Sequence, residues 1–240
     1  MKKIDLFFTP NECEEGILND RTVIVIDVLR AATTIAYALQ NDCKEIIPLV
    51  SIEEAAKLAE RIGRENALLC GEREGKKINA FDLGNSPLEF TPEVVKDKTL
   101  IMTTTNGTFA LSKTKGAEKV LIGSFVNLSA IVKSIKTKEI EELTILCSGK
   151  LGRFALEDVV CAGMLLSEIK LKESNDAVKV SLLLYKQYEK DLYQVLCESK
   201  HGQYLISLGL GEDLKIASRV NSLKVVPILK EGRIIRGENA

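Results

Sequence analysis

Val23-Ile24-Val25-Ile26-Asp27-Val28-Leu29-Arg30-Ala31-Ala32-Thr33-Thr34 is the stretch that decides the fold. Four consecutive β-formers run into an acid, and after a short turn the apolar residues of 31–40 recur at helical spacing. That is a strand passing into a helix. Asp27 then sits at the sheet edge, where its oxygens can hold a hard cation. Arg30, Thr33 and Thr34 lie around a helix N-terminus, whose free N–H groups and dipole favour an anion. The plainer reading is that Asp27 caps the helix and Arg30 is a surface residue.

Outward from this junction the same design repeats. Residues 45–50, 99–103, 120–123 and 143–147 read as further strands, with 4–8 and 67–70 as additional candidates. Helical periodicity marks 52–64, 109–115, 128–135 and 156–170, and Ser51 with Glu54 forms a capping box before the first of these. Residues 176–218 read as helical, and 225–229 and 233–235 as a closing hairpin around Glu231-Gly232. The fold class is therefore α/β, a parallel or mixed central sheet covered by helices. The chain, 1–240, reads as a single domain or two intimate lobes, with a candidate lobe boundary near 124–142.

Composition narrows the function. Apolar residues make up 45% of the 240 and charged residues 28%, enough to bury roughly 70% of the unfolded surface and too balanced for a long disordered segment. Lys plus Arg number 33 against 34 Asp plus Glu. No global field exists to attract nucleic acid or an acidic membrane, so any anion site is built locally. Met1-Lys2-Lys3-Ile4-Asp5-Leu6 carries an acid where a signal peptide needs apolar residues, and no later run is long enough to span a bilayer. The expectation is a cytoplasmic protein with neither nucleic-acid nor membrane partners. The six cysteines form no CxxC pair and have one histidine to join them, so reduced, mostly buried thiols are expected.

Three more strand-to-helix segments carry polar groups where α/β sheets bind ligands. Gly71-Glu72-Arg73 with Phe81-Asp82-Leu83-Gly84-Asn85-Ser86-Pro87 offers Arg73, Asn85 and Ser86 to anionic oxygens, or else only turns and caps. Thr103-Thr104-Thr105-Asn106-Gly107-Thr108 is a candidate phosphate cradle: Thr104, Thr105 and Asn106 supply donors, and Gly107 permits close backbone approach. It lacks the GxxxxGK[ST] spacing of a Walker loop. Cys147-Ser148-Gly149-Lys150-Leu151-Gly152-Arg153 places Ser148, Gly149 and two cations before Glu157 and Asp158. Adjacent helix positions diverge by about 100°, so one of these two acids serves another purpose than holding the ion that Asp27 would share.

Together, and in this order, Ile26-Asp27-Val28-Leu29-Arg30-Ala31, Gly71-Glu72-Arg73, residues 81–87, Thr104-Thr105-Asn106-Gly107-Thr108 and Ala155-Leu156-Glu157-Asp158 resemble the ComB family of 2-phosphosulfolactate phosphatases. The likeness covers at least residues 22–163, and Ser199-Lys200-His201-Gly202 is similar though less distinctive. The resemblance implies a Mg2+-dependent hydrolysis of 2-phospho-3-sulfolactate to sulfolactate and phosphate, a step in coenzyme M formation. On that reading Asp27, Glu157 and Asp158 are the metal ligands. Asp27, Arg30, Glu157 and Asp158 form the catalytic set, acting on a small anionic phosphoester, with water or a carboxylate as nucleophile. A homodimer is left open.

Three rivals compete. The aspartyl-phosphatase signature DxDx[TV] requires an acid at position 29, which is Leu29. Cys147 and Arg153 have the Cys-x5-Arg spacing of cysteine phosphatases, although Phe154 replaces the usual hydroxyl residue. A non-catalytic module binding an anionic metabolite through the same loops is the third. His201 reads as a cap or surface residue, and Tyr185, Tyr188, Tyr193 and Tyr204 as core or interface packing.

Overall fold

The computed structural model describes residues 3–136, 140–170 and 172–237. Part of the candidate lobe boundary, 137–139, lies outside the described residues. The strands are β1 (Lys3–Phe7), β2 (Thr22–Ile26), β3 (Glu45–Pro48), β4 (Ala67–Arg73), β5 (Lys76–Lys77), β6 (Thr99–Thr103), β7 (Lys119–Gly123), β8 (Glu142–Cys147), β9 (Glu173–Ser174), β10 (Pro227–Lys230) and β11 (Arg233–Arg236). Among the described residues they form one sheet in the order β5-β4-β6-β3-β11-β10-β7-β2-β8-β1-β9. The helices that position the site are α1 (Ala31–Gln40), α2 (Ile52–Ile62), α3 (Pro92–Val95), α4 (Gly107–Lys113), α5 (Leu128–Lys136) and α6 (Leu156–Ser167). They are followed by α7 (Asp176–Tyr188), α8 (Leu192–Glu198), α9 (Lys200–Ser207) and α10 (Gly211–Ala217). No helix among the described residues is long and apolar enough to cross a membrane.

Strand β2 is buried on both faces, as its unbroken apolar run requires. Val23 and Val25 pack on one side with Ile35, Leu39 and Met102. Ile24 and Ile26 pack on the other with Phe125, Val159 and Leu196. A smaller core lies under α2, where Ala55 and Ala59 meet Leu69 and Ile101.

The closing hairpin does not close an edge. Strand β10 pairs antiparallel with β7, and β11 pairs antiparallel with β3, so the C-terminus is inserted in mid-sheet. Strands β3, β4 and β6 are mutually parallel, as are β1, β2, β7, β8 and β9. Three antiparallel junctions separate the two sets, which therefore run in opposite senses. The pairing puts the carboxyl ends of β2 and β6 formally on opposite edges. Their carboxyl-end loops nevertheless line one cleft. Five steps of about 20–25° each separate β6 from β2, and the accumulated twist of ~100–125° swings the two ends toward one crevice.

The helical stretch 176–218 breaks into four pieces at side-chain caps. Asn175, Asp191 and Ser199 each accept a hydrogen bond from a backbone N–H of the helix that follows, and Gly209 takes φ +79° before α10. These breaks fold α9 and α10 back over the end of β2.

Candidate active site

A cleft of about 700 Å³ opens between the β2–α1, β4–β5 and β6–α4 loops, the turn after β8, and the start of α9. Asp27, Arg30, Arg73, Asn85, Thr104, Thr105, Asn106 and Gly107 all line it. The loops after β2, β4 and β6 thus meet as their polar residues suggested.

Asp27 is the buried acid of this cleft, 4% exposed. Its Oδ1 accepts from Ala31 N at 3.0 Å, so the capping role and the cleft position are both realised. Burial pushes its carboxyl up to about 6, against the opposing pull of His201, Ser148 and Ala31, with Glu72 adding repulsion. Gly107 is required beside it. A Cβ there would lie 2.6 Å from Ala31 Cβ and 2.7 Å from Asp27 Oδ2, distances that real Cβ atoms do not tolerate.

Of the three carboxylates expected to share a cation, Asp27 alone lines the cleft. Asp158 Oδ1 accepts from Val28 N at 2.9 Å, and its Oδ2 accepts from Ser148 Oγ and Gly149 N, both at 3.1 Å. It clamps the exits of β2 and β8 together, and this is where Ser148 and Gly149 are spent. Burial, then the charges of Glu157 and Asp27, hold the Asp158 carboxyl well above the usual range. Glu157 turns the other way. Its Oε1 lies 3.2 Å from His201 Nδ1, and its buried Oε2 has no partner. The divergence of adjacent helix positions was legible; which acid faced which partner was not.

Arg30 is neither a surface residue nor a free clamp. Its Nη1 donates to Asp213 Oδ2 at 2.8 Å and its Nη2 to Gly75 O at 2.7 Å, in the interior. Ser86 donates to the other oxygen of Asp213. Thr33 is spent on Val28 O and Ser124, and Thr34 on Asn85 O; neither lines the cleft. Arg73 does line it, braced by Glu72 O and Val50 O at 2.9 Å each. Glu72 ties the walls together by accepting from Gly75 N and Thr105 N, and Asn106 Oδ1 accepts from Leu151 N. Asn85 Oδ1 and Thr105 Oγ1 are buried without partners.

Among the cleft residues that escaped the sequence reading as site groups are Lys150, Lys200, His201 and Tyr204, with the acids Glu72 and Glu74. Lys150 Nζ stands 4.2 Å from the centroid of the Tyr204 ring, and Tyr204 donates its hydroxyl to Glu74 O. Burial lowers the Lys150 ammonium, opposed by Glu157 and Glu72. Arg73, Lys150 and Lys200 make no ion pair with a carboxylate among the described residues. These three cations share the cleft with the carboxylates of Asp27, Glu72 and Glu74.

The cysteine rival fares badly. Cys147 is fully buried, and burial followed by Asp158 pushes its thiol well above the ordinary value, which disfavours a thiolate. Arg153 is exposed, does not line the cleft, and contributes its backbone to a tight turn with Lys150.

The sequence pattern of the 2-phosphosulpholactate phosphatase family matches residues 7–232. A relative from Caldanaerobacter subterraneus subsp. tengcongensis is 42% identical over 232 residues, covering 95% of this chain and 96% of its own. Others from Clostridium acetobutylicum and Thermotoga petrophila are 37% and 38% identical, covering 97% and 96% of this chain and 100% and 95% of theirs. All three carry the name probable 2-phosphosulfolactate phosphatase.

Proposed function

Because the chain belongs to the 2-phosphosulfolactate phosphatase family, we propose that this phosphoric monoester hydrolase converts 2-phospho-3-sulfolactate to 3-sulfolactate and phosphate, with Mg2+ as cofactor, in coenzyme M formation. The observation that carries the reading is the set of cations on the cleft: Arg73, Lys150 and Lys200, none in a close ion pair among the described residues, line it together with the buried Asp27 and with Glu72 and Glu74. A substrate bearing phosphate, carboxylate and sulfonate needs such local compensation.

The residues fit magnesium in a restricted way. Among the described residues no three His, Cys, Asp or Glu side chains gather into an all-protein cage. Mg2+ usually takes one or two carboxylates and completes its shell with waters and substrate phosphate oxygens. Asp27 is the carboxylate that would hold it, and the unpartnered Asn85 Oδ1 on the same cleft is a neutral oxygen of the right hardness. When bound, the ion supplies neutralisation of charge on the transferring phosphoryl group. The protein's share is orientation: Thr104, Thr105 and the Gly107 backbone on one wall, and Arg73 with the two lysines for the anionic arms. Such preorganised donors are the main lever in phosphoryl transfer.

The test is a panel of sulfonated and non-sulfonated phosphoesters, each assayed with Mg2+ and with excess chelator. The substrate reading predicts the highest kcat/KM for the sulfonated ester. Undiminished turnover in chelator would sink the metal assignment, and failure to turn over the sulfonated ester would sink the substrate.

A further inference from the structure

We propose that His201 is the catalytic proton donor to the departing ester oxygen, with Glu157 as its positioning residue; the inference rests on the phosphatase reading. His201 is the sole histidine of the sequence. It occupies the first turn of α9 and lines the cleft beside Asp27, near enough for its charge to favour the ionised carboxylate there. Its Nδ1 faces the Glu157 carboxylate at 3.2 Å, and that carboxylate is only 1% exposed. An acceptor at this nitrogen keeps the Nδ1 proton in place. The Nε2 nitrogen is left for the cleft, and the ring's orientation is set by its partner, as histidines in proton transfer require.

The placement of the ring is enforced by the fold. Ser199 caps α9 by accepting from Gly202 N at 2.9 Å. A Cβ on Gly202 would lie 1.7 Å from Leu196 O, so α9 docks on α8 at a distance that only glycine allows. His201 therefore reaches the cleft from a rigid support. Glu157 is fixed by the first turn of α6 at the end of the β8 loop. Of the neighbouring groups, Tyr204 is committed as a donor to Glu74 O, and guanidinium groups do not release protons.

The chemistry requires a donor. A secondary alkoxide is a poor leaving group, and it departs readily only as the alcohol. In the step assigned here, the bond between phosphorus and a water oxygen forms while the bond to the ester oxygen breaks. The ester oxygen takes the Nε2 proton. Dihydrogen phosphate, carrying both protons of the water, loses one, and that proton restores the imidazolium.

Three esters with progressively better leaving groups test this with the full-length protein and Mg2+: 2-phospholactate, phosphoenolpyruvate and 4-nitrophenyl phosphate. His201→Gln should lower kcat on 2-phospholactate by about 100-fold or more, with little change in KM. The loss should shrink along the series, to less than about tenfold for the nitrophenyl ester, whose leaving group needs no proton. Glu157→Gln should show the same bias with smaller losses, since it disturbs the donor without removing it. Equal losses on all three esters, or none, overturn the assignment while leaving the phosphatase reading intact. A phosphoryl group recovered on His201 after quenching also overturns it, because the residue would then be a nucleophile. A wild-type protein inert toward the sulfonated substrate and all three esters overturns both readings. Thermal unfolding accompanies each variant, and if His201→Gln does not fold, His201→Asn and Glu157→Gln carry the comparison.

Discussion

Arg30 and Asp213 meet at 2.8 Å with side chains 4% and 2% exposed, so that a charge from the β2–α1 turn is neutralised by one from α10. Removing one partner of a buried pair leaves an uncompensated charge in low dielectric, typically at a cost of about 3–5 kcal/mol. Asp213→Ala should fall in that range, measured by urea unfolding. It also strands the Ser86 hydroxyl. Arg30→Lys should lower both stability and turnover, because an ammonium cannot present the planar fork that reaches Asp213 and Gly75 O together. Unchanged unfolding free energy in both variants would remove this pair from the support of the cleft.

Asp27 links stability to pH. Its folded value of about 6 stands above its ordinary 3.8, so the folded state holds a proton that the unfolded chain has released in between. Its stabilising contribution is complete below 3.8 and is lost as pH rises through about 6; above that, the buried charge costs on the order of 2–3 kcal/mol. Asp27→Asn removes the charge and keeps the acceptor for Ala31 N. In chelator, the variant should be more stable than wild type at pH 8, with the advantage vanishing near pH 4, while Mg2+-dependent turnover is lost. Thermal unfolding across that pH range checks it, and a constant difference at all pH values would contradict it.

The β2–α1 junction was legible because it is local: a run of β-formers, an acid and a helical period within twelve residues fixed both element types and put Asp27 at a strand end. The residues that complete the site are remote. Asp213 lies 183 positions from Arg30, and His201 and Tyr204 reach the cleft only because capped breaks fold α8 to α10 back over the sheet. No spacing rule reports such pairings. The central position of the β10–β11 hairpin was hidden for the same reason: strand character is a local property, whereas the choice of β3 and β7 as neighbours is not. The tyrosines at helical spacing illustrate the limit. Only the structure separates Tyr204, beneath Lys150, from those that pack elsewhere.

Cys147 provides a negative control for the chemistry. Its thiol is buried and pushed well above the ordinary value by desolvation and by Asp158, and reactivity requires the thiolate. Cys147→Ser should keep turnover within about threefold of wild type and cost roughly 1–2 kcal/mol by burying a more polar hydroxyl. Alkylation of the native protein should leave activity intact. A folded serine variant without turnover would bring the Cys147–Arg153 pair back.

Lys150 and Tyr204 should behave as one unit in substrate capture. The ammonium stands over the ring at 4.2 Å, and the ring is anchored at its far end by the bond to Glu74 O at 2.9 Å. A cation over an aromatic face gains about 0.5–1 kcal/mol where it is exposed and more where water is excluded. The ring thus holds a long, flexible side chain in the cleft before substrate arrives. Lys150→Met keeps much of the length without the charge, and should raise KM for a multiply anionic ester about tenfold with a smaller effect on kcat. The wild-type KM should itself rise with ionic strength, and that dependence should weaken in the variant. Tyr204→Phe retains the face and should stay close to wild type, whereas Tyr204→Ala frees the lysine and should approach the loss seen in Lys150→Met. If ring and ammonium act together, Lys150→Met combined with Tyr204→Ala should cost little more than either alone. Fully additive losses in that cycle would show that the two side chains serve the cleft separately.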